Sequence, residues 1–351
     1  MRRIASLAVA LCSLCAVTRA QAAPAVRAVA PSSVDRQLLQ RAFARAGYRP
    51  PAGARLLITR VSPRRSRAAA ARAPTYQRFS FADSGVTVGG FWPASTVKLW
   101  AAVGALLVAR AAGLDSRARV RMRDSYGRYR GTLAALIRPA ILWSSNRAYD
   151  RLVMVAGADH LNTTLARRYA LSGLVIQCPY FGGPSLDSPA LRLGSTSLAA
   201  RPMRARFARC ASPQNCASML LLQEVLRRVV LHDELPPAER FPLAARDVRL
   251  LRRVLLRARD KVGRAARAAL RTRALRIYNK AGRYPGMDHL DNALIVAADG
   301  RRYLVTASVP YSRSARTDRA TARQLHELVY RGLLALERRH DSARKKVPPA
   351  L

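Results

Sequence analysis

Acidic residues are scarce in this chain of 351 residues: 20 Asp and Glu stand against 62 Lys and Arg, for a formal net charge of +42. Attraction to polyanions at low salt follows directly. Aromatic residues are also few, at 6%, and no base-reading module is recognisable, so nucleic acid is not the expected partner. The basic residues are spread along the chain with no dense block, as a generally Arg-rich composition produces, and an anionic cell envelope is the polyanion an exported chain would meet. Cysteine is limited to five residues, and the three beyond the N-terminal apolar run, Cys178, Cys210 and Cys216, form no C-x-x-C and no His/Cys cluster. No zinc site is therefore expected. Beyond the N-terminus, no apolar stretch reads as both long and charge-free enough for a stable membrane anchor.

What is present begins with a leader. Met1-Arg2-Arg3, the apolar run from Ile4 to Val17 and Ala20-Gln21-Ala22 have the order of a secretory signal, with cleavage expected after Ala22. A lipoprotein signal at Cys12 or Cys15 fits less well, because Leu precedes each cysteine. The expected organisation is a leader at residues 1–22, one domain at 23–340 and a basic disordered tail at 341–351. Export to the periplasm or beyond would let Cys210 and Cys216 pair across a helix start at Ser212-Pro213, leaving Cys178; a Cys178 to Cys210 bridge is the alternative.

Apolar spacing predicts helices over Val34 to Ala46, from Ser95 onward, and over Thr132 to Ile141, Asn146 to Val155, Ser212 to Val230, Ala245 to Arg257 and Ala320 to Arg338. Strands are expected at Arg55 to Val61, Tyr76 to Phe81, Val86 to Gly90, Leu275 to Lys280, Ala293 to Ala298 and Tyr303 to Val309. Pro63 to Pro74 reads as an exposed loop, and Gln177 to Ser197 as a long irregular one. The order implies an α+β fold: an antiparallel sheet from both chain ends, flanked by helices, with an all-α lobe at about 95–270 inserted.

Lysine is the rare cation. Only Lys98, Lys261, Lys280, Lys345 and Lys346 occur, so wherever positive charge suffices the chain uses Arg. Because Arg stays protonated, a retained Lys points to a position that needs a titratable amine. Ser95-Thr96-Val97-Lys98 sets a hydroxyl and an amine one turn apart at a helix start. A serine needs a base to become a nucleophile, and a lysine of lowered pKa can serve. Ser144-Ser145-Asn146 adds a hydroxyl and an amide at a turn, although a helix cap also explains it. Lys280-Ala281-Gly282 ends a strand with a third functional group and a glycine that permits close approach.

In that order the three segments resemble the S-x-x-K, S-x-N and K-T-G set of class A β-lactamases and penicillin-binding proteins. The resemblance extends from Phe91 to Lys98, through Trp143 to Ala148 and Ala156 to Asn162, to Asn279–Gly282 and Asp291–Val296, across about residues 90 to 310. It implies a β-lactamase/transpeptidase-like fold and a serine hydrolase acting on amide bonds. The implied catalytic residues are Ser95 as nucleophile, Lys98 as base or its partner, Ser144 as proton shuttle and Lys280 as relay and carboxylate holder. Asn146 and Gly282 would contact substrate, and the backbone N–H groups of Ser95 and Arg283 would form the oxyanion hole. The implied substrate is a small-molecule β-lactam or a peptidoglycan stem peptide, and the resemblance implies no metal or organic cofactor. A non-catalytic, basic envelope-binding protein on the same fold is the competing class.

Two departures from the pattern matter. Ala281 replaces the Thr or Ser of K-T-G, so a carboxylate would need another donor, for which Arg283, Tyr284 and His289 are nearby in sequence. Ser188 and Arg192 stand where class A enzymes carry the Glu and Asn of E-x-x-L-N, which leaves Asp187 and Asp150 as the candidate deacylation bases.

Overall fold

Two ends of the chain build one sheet in the computed structural model, which describes residues 33–62, 74–81, 92–204, 210, 214–284, 288–311 and 315–344. The leader at 1–22, most of the Pro63 to Pro74 loop, the strand expected at Val86 to Gly90, Phe91, the helix start at Ser212-Pro213 and the tail from Lys345 lie outside the described residues. The first end supplies β1 (Val34–Asp35), α1 (Leu38–Arg45), β2 (Arg55–Val61) and β3 (Tyr76–Ser80). The lobe follows with α2 (Lys98–Ala111), β4 (Arg119–Asp124), β5 (Gly127–Thr132), α3 (Leu133–Leu142), α4 (Asn146–Ala156) and the short α5 (Ala166–Arg168). It continues through β6 (Leu191–Leu193), β7 (Thr196–Leu198), α6 (Met219–Val230) and α7 (Ala245–Arg257), after which α8 (Gly263–Leu270) packs on the other face of the sheet. Then β8 (Leu275–Arg283), β9 (Asp288–Ala297), β10 (Arg302–Pro310) and α9 (Ala315–Arg344) close the chain, the last helix running past the boundary expected at 340.

The large sheet has the order β1-β3-β2-β10-β9-β8, antiparallel except where β1 meets β3. Its central strands alternate between two cores, as the two-residue side-chain period requires. Leu57, Leu290, Leu294 and Leu304 pack toward the lobe. Leu56, Ile58, Ala293, Ile295 and Val305 share the opposite core with residues of α1, α8 and α9. With both faces covered, β9 and β10 are buried along nearly their whole length, and Ala293 to Ala297 is a continuous apolar run. Polar bonds also tie α6 to this sheet: Gln223 Nε2 donates to the Leu57 carbonyl (2.9 Å) and Asn292 Nδ2 to that of Leu222 (2.9 Å).

Three elements depart from the expectations. Residues Val34 and Asp35 pair with Arg78 and Phe79 rather than starting a helix, because the Asp35 carboxylate accepts from the N–H groups of Gln37 and Leu38 and closes a turn before α1. The helix expected from Ser212 begins at Met219, where Ser218 caps it by accepting from the Leu221 N–H. Before that cap, Cys216 pairs through its backbone with Val175 and bonds to Cys210, leaving Cys178 as a thiol. Finally, the lobe is helical but also holds a four-stranded sheet ordered β5-β4-β6-β7. In β4, buried Val120 and Met122 alternate with exposed Arg119, Arg121 and Arg123, so arginine supplies the polar phase of a half-buried strand.

Helix α2 is the centre of the lobe. The stretch Ala94–Ala111 is apolar and long enough to cross a membrane, contrary to the sequence expectation, yet 78% of it is buried within the protein. It is a core helix, and that rigidity positions the residues at its N-terminus.

Candidate active site

Ser95 lies half-buried in a 3-10 turn, Ala94–Val97, that runs directly into α2. Ala94 has a φ of +41°, a left-handed conformation that costs a non-glycine residue about 1–2 kcal/mol. The surroundings hold it there: Tyr180 donates its hydroxyl to the Ala94 carbonyl at 2.8 Å. From the other side β8 presses against the turn. A Cβ on Gly282 would lie 3.0 Å from the Ser95 nitrogen and 3.0 Å from Ala94 Cβ, so only glycine allows this approach. The glycine expected to admit substrate thus first admits the nucleophile's own backbone.

One turn on, Lys98 is fully buried. Its Nζ donates to the Ser144 carbonyl (2.5 Å) and to Asn146 Oδ1 (2.5 Å), and lies 3.3 Å from Ser144 Oγ, a hydroxyl that can donate to the amine when it is neutral. Its bonds therefore run to the S-x-N turn, with none to Ser95 Oγ among the described residues, an arrangement common before substrate arrives. Burial, and secondarily the Lys280 ammonium, bring the Lys98 amine down to about 6. The amine is therefore largely neutral at pH 7, as a base must be. The rings of Tyr149 and Tyr180 lie 5.8 and 5.6 Å from Nζ.

The S-x-N turn divides its labour between its two serines. Ser145 caps α4, its Oγ accepting from the Ala148 N–H (3.3 Å). Ser144 is thereby free of the capping role that would otherwise explain it. Its φ of +58° accompanies a turn in which both its carbonyl and its hydroxyl meet Lys98, and Lys280 Nζ donates to the same hydroxyl at 2.9 Å. Lys280 also donates to the Ala281 carbonyl (2.8 Å), and burial lowers its amine to about 8. Two amines of different proton affinity thus share one hydroxyl, as a proton relay requires.

Asn146 completes the set, its Nδ2 donating to the Tyr180 carbonyl at 2.9 Å. Arg283 ends β8 beside Gly282, but its guanidinium pairs with Asp318 at 2.9 Å. His289 is buried with both ring nitrogens lacking a hydrogen-bond partner, and burial first, then Lys261, lowers it to about 4. It stays neutral at pH 7 and supplies no charge for a carboxylate.

Both candidate deacylation bases are engaged in hydrogen bonds of their own. Asp150 is buried and accepts from Tyr180 N (2.8 Å), Phe181 N (2.9 Å) and the Tyr126 hydroxyl (2.6 Å). It fixes the loop in front of Lys98. Asp187 is exposed and accepts from Ser185 Oγ and the Met203 N–H. It lines a cleft with Arg123, Met154 and Pro202 that contains none of Ser95, Lys98, Ser144 and Lys280. The segment compared with E-x-x-L-N is no irregular loop: Leu191–Leu193 is β6, paired with β4, and the Ser188 hydroxyl is buried without a hydrogen-bond partner. Among the described residues, no cluster of three or more His, Cys, Asp and Glu is arranged to hold a metal ion.

The residue that reasoning from sequence missed is Tyr180. It joins Ala94, Asn146 and Asp150 by hydrogen bonds, stacks on Tyr149 at 4.7 Å and lies 5.7 Å from Trp92. No spacing announces it; the only signal was an aromatic within a Gly/Pro/Ser-rich segment of a chain poor in aromatics.

Comparison with known proteins agrees with this geometry. The β-lactamase enzyme family matches residues 89–333. The chain belongs to that family. Among solved structures it is similar to PBP-A, at 16% identity and a TM-score of 0.56, covering 90% of this chain and 99% of that one. A PBP-A mutant determined as the acyl-enzyme complex with penicillin-G gives 15% identity and a TM-score of 0.55, over 88% and 100% of the two chains. A class A β-lactamase described as the last common ancestor of Gram-negative bacteria gives 19% and 0.53, over 86% and 98%. No curated protein matches. These likenesses establish the β-lactamase/transpeptidase-like fold, on which this family member sets Ser95, Lys98, Ser144 and Lys280 together.

Proposed function

We propose that this β-lactamase family protein is an exported serine acyl-transfer enzyme that forms an acyl-enzyme at Ser95 with an amide of the β-lactam or D-alanyl peptide type and releases it slowly. The observation that carries this reading is the buried, low-pKa Lys98 one turn from Ser95, linked through Ser144 to Lys280. In the proposed sequence, neutral Lys98 takes the Ser95 Oγ proton as the oxygen attacks the carbonyl carbon. The developing oxyanion is stabilised by backbone N–H groups at the start of α2 and the end of β8. As the C–N bond breaks, Ser144 passes a proton to the leaving nitrogen and is resupplied by the Lys280 ammonium, leaving Ser95 esterified.

Hydrolysis of that ester needs a base for water. Asp150 and Asp187 are both engaged with backbone donors, which supports slow turnover and a penicillin-binding behaviour. The test is to incubate the mature protein with a chromogenic β-lactam, following intact mass and reporter turnover together. A persistent adduct on Ser95, absent in Ser95→Ala, is the expected result. Fast turnover without accumulation would overturn slow release, and unchanged labelling of Ser95→Ala would overturn the nucleophile assignment.

A further inference from the structure

Among the described residues few large apolar side chains are exposed, and most of those few adjoin residues of the site in sequence. Four large apolar or aromatic side chains are notably exposed among the described residues: Trp143 (77%), Tyr284 (47%), Phe181 (44%) and Leu256 (42%). Three of them adjoin residues of the site. Trp143 precedes Ser144, whose hydroxyl meets Lys280. Tyr284 follows the strand end that abuts the Ser95 turn, with its ring 5.4 Å from that of Trp92. Phe181 follows Tyr180, packs edge-on to Tyr126 at 5.1 Å and lies under the Arg147 guanidinium at 4.4 Å. The other two tryptophans, Trp92 and Trp100, are buried, so exposure of Trp143 is a property of its place and not of the residue type.

Polar capture of substrate is correspondingly thin on the described β8 side. Residue 281 offers a methyl group, Lys280 is turned onto its own strand's carbonyl and onto Ser144, and the Arg283 guanidinium is paired with Asp318. Exposed aromatic side chains next to site residues offer a ligand surface, and planar groups gain on such rings by stacking.

We infer that Trp143 and Tyr284, with Phe181, select acyl donors carrying a flat aromatic side group, held by stacking at the mouth of the site. This rests on the acyl-enzyme reading above and specifies its substrate class. The site then discriminates by the side group more than by an anionic end.

The test uses the mature full chain and two β-lactams with the same nucleus, one with a phenylacetyl and one with an acetyl side chain. The rate of mass-shifted Ser95 is measured for each. The phenylacetyl compound is expected to acylate about tenfold faster or more. Trp143→Ala and Tyr284→Ala together are expected to bring the ratio of the two rates close to one, whereas Leu256→Ala, on α7, leaves the ratio unchanged. Equal rates in the unaltered protein, or a preference that survives both aromatic substitutions, overturn the aromatic selection while leaving acylation intact. Failure of both compounds to label Ser95 overturns the acyl-enzyme reading itself.

Discussion

The turn that begins α2 and the segment facing it from Cys178 to Arg204 treat their ionisable groups in opposite ways. At α2, the buried amine of Lys98 has hydrogen-bond partners that are all neutral oxygens, while the Lys280 amine and the Asp150 carboxylate act on it through space. In the facing segment and in α4 beneath it, carboxylates are tied to backbone N–H groups. An amine without a carboxylate partner is held close to neutrality and ready to exchange a proton. A carboxylate saturated by donors shapes the chain instead. One side of the site leaves an amine without a hydrogen-bonded carboxylate, and the other uses its carboxylates to hold the chain's shape.

The largest test of that contrast is Lys98→Arg. The guanidinium cannot lose its proton, so acylation of Ser95 by a β-lactam is expected to fall by about 10²- to 10⁴-fold, measured by mass. Retention of acylation within threefold of the unaltered protein would break the assignment of a titrating base. On the opposite side, Asp150→Ala strips Tyr180 N, Phe181 N and the Tyr126 hydroxyl of their acceptor. Unsatisfied buried donors cost about 1–3 kcal/mol each when water cannot replace the partner. A loss of about 3 kcal/mol of unfolding free energy in denaturant melts is expected, and a loss under about 0.5 kcal/mol would show that the carboxylate does not hold the loop.

A smaller effect follows from pH. Lys98, lowered to about 6 chiefly by burial, must be neutral to accept a proton, whereas Lys280, lowered to about 8 by burial, must be charged to resupply one. Acylation should rise as pH increases through about 6, level off, and decline as pH passes about 8. A rate that keeps rising through pH 9 would place the essential base elsewhere. Least affected should be Asp187→Asn, which leaves acylation and release within about twofold, because its carboxylate is exposed and lies in a cleft apart from Ser95. A tenfold slower release of the adduct would restore Asp187 as a deacylation base and erase the contrast between the two sides.

Much of this was legible along the chain. Helix α7 appears over Ala245–Arg257, as its apolar spacing predicts, and the strands of the C-terminal end differ from expectation mainly in length. The lobe's small sheet was missed: β4 does alternate arginine with Val120 and Met122, but β6 and β7, at 3 residues each, are too short to carry a period. Also missed was the helix start at Ser218, where Cys216 is drawn to Val175 by a pairing remote in sequence.

By itself the sequence determined the chemistry on offer: a serine and a rare lysine one turn apart, a hydroxyl-amide turn, a lysine before a glycine, and no residue able to stand in for the missing glutamate without help from the fold. Those are local spacings, and helical and strand periods carry them directly. Only the tertiary structure decided which groups share a proton path. It brought Lys280 across 136 positions to Ser144, assigned the helix cap to Ser145, and drew Asp150 into holding the loop. Burial depth and hydrogen-bond partners set these roles, and both depend on elements far apart in the chain.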